Sequence, residues 1–345
     1  RSDYIVTKDE VYGYAHHWLS TALQLECAGR KCTTSVLWRV LLLAAARVVS
    51  LGAICRDLAN APSHETVRSA LHSTLPCVTE LERRLNLALA TELPKGLRRK
   101  PRMIAIDLTA VPYYGQPCSD PKELFRGKAK AGTTRFHAYA TAIVVHKGQR
   151  FTLAVTRVEQ NEKMHDVVQR LLQIVARQEI KIRFLLLDKA FFSFRVLHDL
   201  KQAGHGYIIP TALRGRKPKY KKKPTGLRAI ARKATGYYIH RMTGQVGRVK
   251  QSIQLTICVS SKTYTYRKTG KRHYKKLPFA VYRVRRSPSQ IRETYRLRFG
   301  IETSYRQMNQ ARSRTCSRSP AIPLLHFSIG LVLRNAAVLL HFKLN

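Results

Sequence analysis

The stretch MIAIDLT, residues 103–109, is a continuous apolar run with an aspartate near its end. Runs of this kind are typical of central strands that are buried on both faces. A second run, FLLLD at 184–188, also ends in an aspartate. Between them, residues 136–159 predict two strands joined at Lys147-Gly148-Gln149, and apolar spacing predicts a helix over 163–179.

Beyond the second run, the sequence predicts a helix at 192–203 and a short strand at 207–210. The order strand, hairpin, helix, strand, helix, strand is typical of a mixed sheet with helices on its faces. The predicted fold class is therefore mixed α/β, or α+β. The glycine-containing stretch 122–135 is predicted to be a loop.

Residues 1–95 are predicted to be helical, because apolar residues recur at steps of three and four. Within them, a short helix, a turn and a second helix that follows the N-cap Ser63 have the outline of a helix-turn-helix at 51–73. Any helical hairpin has this outline, so the second helix either contacts DNA or packs against the rest of the protein. The residues expected to contact DNA are Ser63, His64, Thr66 and Arg68.

Two strongly basic segments follow the helical region. The linker 96–102 carries Arg98, Arg99 and Lys100. Residues 211–286 contain 23 Lys and Arg and no Asp or Glu, which predicts a β-rich insertion that lies along phosphate. Its cations expected to bind DNA are Lys221, Lys222, Lys223, Lys268, Lys271, Arg272, Lys275 and Lys276. The predicted divisions of the chain are 1–95, 96–102, 103–210, 211–286 and 287–345.

Charge is the unusual feature of the composition. The chain has 63 Lys and Arg against 20 Asp and Glu, a net charge of +43, and attracts any polyanion. Nucleic acid is the first partner to consider, and an acidic membrane surface is the second. The 44% hydrophobic content excludes general disorder.

The seven cysteines are odd in number and form no CxxC pair, so neither a disulfide framework nor a zinc ribbon is expected. A reducing cytosol is the natural compartment for such a chain. The two most apolar stretches, 37–51 and 323–342, are interrupted by arginines and other polar residues, so both are predicted to be buried helices of a soluble protein. No signal peptide is predicted, and the sequence starts at Arg1 rather than at methionine.

Acids at the ends of buried strands need an explanation in so basic a chain. Asp107 and Asp188 each follow an apolar run, and ligands collect at the carboxyl ends of such strands. Two carboxylates brought together repel each other unless a cation lies between them. Mg²⁺ prefers oxygen ligands, and two such ions can stabilise the attacking and leaving oxygens of a phosphoryl transfer. Either aspartate alone would be interpreted as a helix cap or an ion pair, whereas the two together favour a metal site.

A third carboxylate occurs in YRLRFGIETSYRQ, residues 295–307. Tyr295, Arg298 and Glu302 are spaced by three and four residues, so they share one face of a predicted helix. Arginine contacts phosphate beside a scissile bond through a planar fork, and tyrosine stacks on bases. The alternative is an ordinary amphipathic helix with a surface ion pair.

These residues resemble the DDE transposases of bacterial and archaeal insertion sequences, in the group with a Tyr-Arg-Glu-Lys helix signature. The resemblance covers about residues 30–342. It implies an RNase H-like fold with a β-rich insertion before the glutamate. It also implies that Asp107, Asp188 and Glu302 are the catalytic residues and hold two Mg²⁺ or Mn²⁺ ions.

The last position of the signature is Asn309 instead of lysine, which affects one expected contact with a terminal phosphate. Arg306 and Arg312 are the candidates to replace that contact. The resemblance therefore adds Tyr295, Arg298, Arg306, Asn309 and Arg312 to the residues expected to bind DNA.

The activity implied by the resemblance is cut-and-paste transposition: binding of the terminal repeats of an insertion sequence, cleavage of its ends, with a hairpin intermediate as one route, and joining of the 3′-hydroxyls to target DNA. The expected form is a homodimer on paired DNA ends, in the cytoplasm and nucleoid of a prokaryote. Two alternatives stay open: a structure-specific nuclease or resolvase of the same fold, and a domesticated DNA-binding protein without catalysis. The insertion and the Tyr-Arg-Glu spacing count against the first, and the intact acidic triad counts against the second.

Overall fold

One large mixed sheet organises the molecule. The computed structural model describes residues 6–116, 120–146, 150–217, 223–265, 270 and 272–344. Within these residues the sheet has nine strands: β1 (Arg102–Pro112), β2 (Phe125–Lys130), β3 (Thr133–Val144), β4 (Thr152–Val158), β5 (Ile182–Leu187), β6 (Tyr207–Pro210), β7 (Gly236–Val246), β8 (Val249–Thr265) and β9 (Arg272–Tyr282).

The α-helices occupy both ends of the chain and the connections between strands. Those before the sheet are α1 (Lys8–Leu23), α2 (Thr34–Arg47), α3 (Leu51–Asp57), α4 (His64–Thr74), α5 (Val78–Ala90) and α6 (Gly96–Arg99). Those within and after it are α7 (Met164–Arg177), α8 (Phe194–Gln202), α9 (Gly226–Ile230), α10 (Pro288–Arg296), α11 (Gly300–Asn309) and α12 (Ala321–Leu344).

The strand order is β2, β3, β1, β5, β6, β9, β8, β7, and β4 also pairs with β3. β1 is antiparallel to β3 and parallel to β5, β4 is antiparallel to β3, and β6 is parallel to β5. The order β4-β3-β1-β5-β6, with three antiparallel strands followed by a parallel set, is that of an RNase H-like core. The predicted fold class is therefore confirmed.

The stretch 122–135, predicted to be a loop, instead contains β2, which pairs with the start of β3. A tight turn connects the two strands at Ala131 and Gly132, whose φ angles are 50° and 80°. Two successive positive φ angles match the right-handed twist of a hairpin, so the glycine makes a turn here. The predicted hairpin at 136–159 is present as β3 and β4, and its turn at 147–149 lies outside the described residues.

The basic insertion extends the core sheet. β7, β8 and β9 form an antiparallel meander, and β9 pairs with β6 of the core. On one face of the meander, a Cβ at Gly244 would lie 2.2 Å from Cγ of Phe194, so only glycine lets α8 pack this closely. The insertion is thus β-rich, as predicted, and its strands continue the sheet that carries the aspartates.

The helices before residue 95 are packed against this core. The side-chain amide of Asn86 on α5 accepts from Val155 N and donates to Val155 O, both at 2.8 Å. Asn335 on α12 does the same to Thr152, at 2.9 and 2.8 Å. These amides satisfy backbone groups on the free edge of β4, which would otherwise be open to strand addition. The predicted segment boundaries remain a prediction.

Both predicted apolar helices are buried. Residues 37–51 fall on α2 and the start of α3, with a break at Val48, whose φ is 57°. In the described part of the chain, one helix, Ala321–Lys343, is long and apolar enough to cross a membrane, and 89% of its most apolar window is buried inside the protein. The bent pair α2 and α3 passes the same test only as one broken span, with a bend of 107°.

Candidate active site on two parallel strands

Parallel pairing of β1 and β5 brings the two aspartates together. Ile106 lies opposite Leu187, so the residues that follow each of them, Asp107 and Asp188, are neighbours at one edge of the core. Asp107 is buried, whereas Asp188 is half-buried and caps a short 3₁₀ turn through Ala190 N, at 3.5 Å. Asp188 follows the last residue of β5, whereas Asp107 lies inside β1, which continues to Pro112, so the prediction of a strand end is wrong for Asp107. The two aspartates are still brought together, because both come directly after the last paired residues of β1 and β5.

The third carboxylate comes from the junction of α10 and α11. The sequence predicts one continuous helix here, and that prediction is wrong in detail. α10 ends at Arg296, a 3₁₀ turn covers Leu297–Phe299, and α11 begins at Gly300. The backbone stays right-handed through the junction, so Arg298 and Glu302 still lie one turn apart and point to the same side.

The guanidinium of Arg298 lies between the three carboxylates. Its Nη1 donates to Asp107 Oδ2 at 2.9 Å, and its Nη2 lies 3.4 Å from Asp188 Oδ1 and 3.7 Å from Glu302 Oε1. Arg298 is only 5% exposed. The sequence predicts a phosphate contact for this side chain, and the structure gives it all three acidic residues as partners.

Burial governs the charge on Asp107. Loss of solvent raises the pKa of its carboxyl to about 6, although the Arg298 guanidinium acts in the opposite direction. The carboxylates of Asp188 and Glu302 raise it further, and the hydrogen bond from Leu108 N lowers it. One guanidinium therefore does not fully compensate the charge of three carboxylates, so the site favours the binding of additional positive charge.

This donor set suits a hard divalent cation in kind, because it offers carboxylate oxygens on rigid elements. The space between the oxygens is taken by Arg298, and no group of three His, Cys, Asp or Glu side chains in the described residues is arranged to hold a metal ion as it stands. Asp107, Asp188 and Glu302 therefore fit a cation only with Arg298 moved aside.

Tyr305 supports the site and was missed by the sequence reasoning. Its hydroxyl bonds to Thr141 Oγ1 at 2.7 Å and donates to Asp107 O at 3.3 Å. It joins α11 to β1 and β3 directly beneath the aspartate. Tyr305 follows Glu302 by three residues, so helical spacing was the available signal.

A cleft of about 750 Å³ lies between α10 and the inserted strands, and its lining includes Lys189, which follows Asp188, but none of the three carboxylates. Its walls are largely apolar and aromatic, and its rim is basic. The lining residues used below are Lys189, Thr211, Tyr264, Lys275, Tyr295 and Phe299. Thr211 is 4% exposed, and its Oγ1 has no hydrogen-bond partner among the described residues.

The residues predicted to bind DNA fall into four groups. Tyr295 and Arg298 are buried beside the carboxylates. Four lie outside the described residues: Lys221, Lys222, Lys268 and Lys271. Arg98, Thr66, Lys276 and Arg312 are half-buried. The exposed ones are Ser63, His64, Arg68, Arg99, Lys100, Lys223, Arg272, Lys275, Arg306 and Asn309.

Several of these side chains have partners within the protein. Ser63 caps α4 by accepting from Thr66 N at 3.2 Å, as predicted for an N-cap. Arg98 Nε donates to Gln178 O at 3.1 Å. Lys276 Nζ donates to two backbone carbonyls of the insertion, each at 2.6 Å. The Ser63 hydroxyl and the cationic groups of Arg98 and Lys276 therefore already make hydrogen bonds within the protein.

Comparison with known proteins matches residues 98–334 to the transposase DDE domain. No curated protein sequence matches the chain. Among solved structures, a piggyBac transposase in a synaptic complex with hairpin DNA is similar, with 14% identity and a TM-score of 0.47, over 98% of this chain and 68% of that one. The matched family segment covers well over half of the chain and includes both aspartates and the glutamate. The protein therefore belongs to the transposase DDE domain family, in agreement with the resemblance seen in its sequence.

Proposed function

We propose that the protein is a DNA transposase that binds the terminal repeats of an insertion sequence, cuts the element ends and joins the 3′-hydroxyls to target DNA. The observation that carries this proposal is the meeting of Asp107, Asp188 and Glu302 around the buried guanidinium of Arg298 in a chain of the transposase DDE family. Carboxylates in such an arrangement have no evident use for a protein that only binds phosphate, since they repel it.

Asp107, Asp188 and Glu302 would hold two Mg²⁺ or Mn²⁺ ions. Such ions supply activation of the attacking oxygen and stabilisation of the leaving oxygen in an in-line phosphoryl transfer. The protein's own contribution is positional. β1 and β5 fix the two aspartates, and Tyr305 holds α11 against β1. Low exposure of Asp107 keeps water from screening the charge of that carboxylate.

The proposed binding site for the end of the DNA strand is the cleft between α10 and the inserted strands. Its rings, including Tyr264 and Phe299, suit stacking with bases, which is worth about 1–3 kcal/mol per base. Lys189 and Lys275 on its rim suit phosphate. The cleft thus offers a complementary surface to both the base and the phosphate of a nucleotide, near the proposed catalytic carboxylates.

Double-stranded DNA is the proposed partner, both as element ends and as target. The net charge of +43 and the exposed cations of the insertion support this. Cleavage of both ends of one element calls for two active sites, so a homodimer in a synaptic complex is the proposed assembly. The proposed location is the cytoplasm of a prokaryote, on the nucleoid.

The experiment is cleavage of a linear DNA that carries the repeats flanking the gene. The full chain is incubated with Mg²⁺, with Mn²⁺ or with EDTA, and strand ends are mapped at nucleotide resolution. Cuts at the repeat ends that require a divalent metal and disappear in Asp107→Asn are expected. Tight binding without cuts in either metal would indicate a non-catalytic DNA-binding protein. Cuts at branched DNA regardless of sequence would indicate a resolvase.

A further inference from the structure

The Arg298 guanidinium lies in the space that a shared cation would need. Its nitrogens are 2.9 Å from Asp107 Oδ2, 3.4 Å from Asp188 Oδ1 and 3.7 Å from Glu302 Oε1. A Mg²⁺ ion binds carboxylate oxygens at about 2.0–2.1 Å with near-octahedral geometry. The guanidinium and such an ion therefore cannot lie between the same oxygens at the same time.

From this overlap we infer that Arg298 is the resident counter-ion of the carboxylate site, and that its guanidinium must leave Asp107 before a divalent cation is held there. The inference rests on the proposed function, because it concerns the carboxylates assigned to catalysis. It gives Arg298 two positions, one among the carboxylates and one away from them.

The surroundings of Arg298 suit a side chain with two positions. It stands on the 3₁₀ turn between α10 and α11, where the helix is tighter and less regular. Its Nε is buried without a hydrogen-bond partner among the described residues, so the inward position leaves a donor unsatisfied. The rings of Tyr295 and Phe299 lie 5.4 and 5.3 Å from its guanidinium carbon, and both rings line the cleft. As the Arg298 guanidinium turns toward the cleft, it would stay in cation–π contact with these rings.

A released guanidinium beside the cleft would be positioned to contact a phosphate of the bound strand. Phosphate that draws Arg298 outward frees the carboxylates, and a cation on the carboxylates frees Arg298 for phosphate. Binding of DNA and of metal should therefore each favour the other, since the coupling between two ligands is reciprocal. Arg298 acts here as a positioning residue that offsets part of the carboxylate charge until a DNA end is present.

The test is Mn²⁺ binding to the full chain without DNA, followed through the electron paramagnetic resonance signal of free Mn²⁺. Arg298→Gln removes the competing cation and should bind Mn²⁺ more tightly than the wild type, on the order of tenfold. Arg296→Gln is the matched control, because it removes the same charge two residues away from Arg298. The Arg296 side chain is 63% exposed and paired with Glu293. Equal affinity in the two variants would overturn the inference.

Thermal melting in EDTA gives a readout that is independent of binding. Arg298→Gln leaves three carboxylates without a counter-ion, so its Tm should fall, and Mn²⁺ should restore it. If that variant does not fold without metal, Arg298→Lys takes its place. The lysine ammonium makes fewer contacts than the guanidinium, so its Mn²⁺ affinity should lie above that of the wild type.

Asp107→Asn separates this inference from the proposed function. Mn²⁺ binding that is lost in Asp107→Asn, but is the same in wild type and both Arg298 variants, would leave the metal site standing and remove the counter-ion role. No Mn²⁺ binding in the wild type or in any variant would contradict both.

Discussion

Arg298 and Asp107 are 191 residues apart in the sequence, and they form a buried ion pair in which Nη1 lies 2.9 Å from Oδ2. Their side chains are 6% and 11% exposed. A buried pair of this kind gains little net stability, because desolvation of both groups offsets their attraction. Its consequence is geometric: the pair holds the α10–α11 junction against the middle of β1, and so places Glu302 beside the aspartates.

The three carboxylates should be separately required for cleavage. Asp107→Asn, Asp188→Asn and Glu302→Gln each remove one charged ligand and should reduce the rate by at least about 100-fold, the scale of losing one preorganised catalytic group. DNA binding should persist, because none of the three attracts phosphate. The control is Glu293→Gln, which removes an exposed acid on α10 that pairs with arginines. Near-normal cleavage by any triad variant, in a gel assay with Mg²⁺, would remove that residue from the site.

Substitutions in the cleft should distinguish residues that bind DNA from residues that stabilise the fold. Phe299 is 49% exposed on the cleft wall, so Phe299→Ala should weaken binding of the DNA end with little change in Tm. Tyr295 is 7% exposed, with Phe279 5.2 Å away, so Tyr295→Ala should lower Tm as well as cleavage. Tyr295→Phe should be milder than Tyr295→Ala, because the ring does most of the packing.

The comparison uses fluorescence anisotropy for binding and calorimetry for Tm on the same preparations. A loss of binding in Phe299→Ala that only follows a lower Tm would mean that the cleft is structural and does not hold the strand.

Two adjacent lysines of β9 should differ in their contribution to DNA affinity. Lys275 is exposed on the cleft rim, whereas Lys276 donates to the carbonyls of Arg232 and Lys233. Lys275→Gln should reduce the slope of log affinity against log salt by about 1, since one phosphate contact releases about one counter-ion. Lys276→Gln should leave the slope nearly unchanged. Equal effects from the two variants would show that both lysines act only through general charge.

Two buried histidines should make the protein sensitive to acid. Burial, reinforced by nearby arginines, lowers the pKa of His137 and of His326 to about 4. The unfolded chain takes up these protons near pH 6.5, so stability is present above that pH and is lost as the pH falls toward 4. Each group contributes about 1.4 kcal/mol per unit of pKa difference.

His137→Phe keeps a ring beside Tyr113, which lies 5.0 Å away, and removes the titrating group. Denaturant unfolding between pH 4 and 7 should therefore show a shallower pH dependence for this variant. An unchanged slope would mean that His137 is not held neutral in the folded protein.

Local pattern was enough for many of the elements. The apolar runs at 103–109 and 184–188 became central strands, Ser63 became an N-cap, and residues 323–342 became a buried helix. Each depends on residues within one or two turns, where periodicity and capping chemistry act directly. The prediction of a loop at 122–135 is wrong because the strand there exists only through pairing with β3. Its own residues favour a strand weakly.

The sequence by itself determined that an aspartate follows each of two buried apolar runs, that Glu302 follows Arg298 by one helical turn, and that a long basic segment precedes Arg298. Only the tertiary structure decided that Arg298 faces the carboxylates, that Tyr305 reaches Asp107, and that β9 joins the insertion to the core sheet. The physical reason is range. Spacing of three or four residues fixes which side chains share a face of one element, but the register of β1 against β5 and the packing of α11 on that sheet fix which faces meet. Those contacts join residues up to 198 positions apart, and no local pattern encodes them.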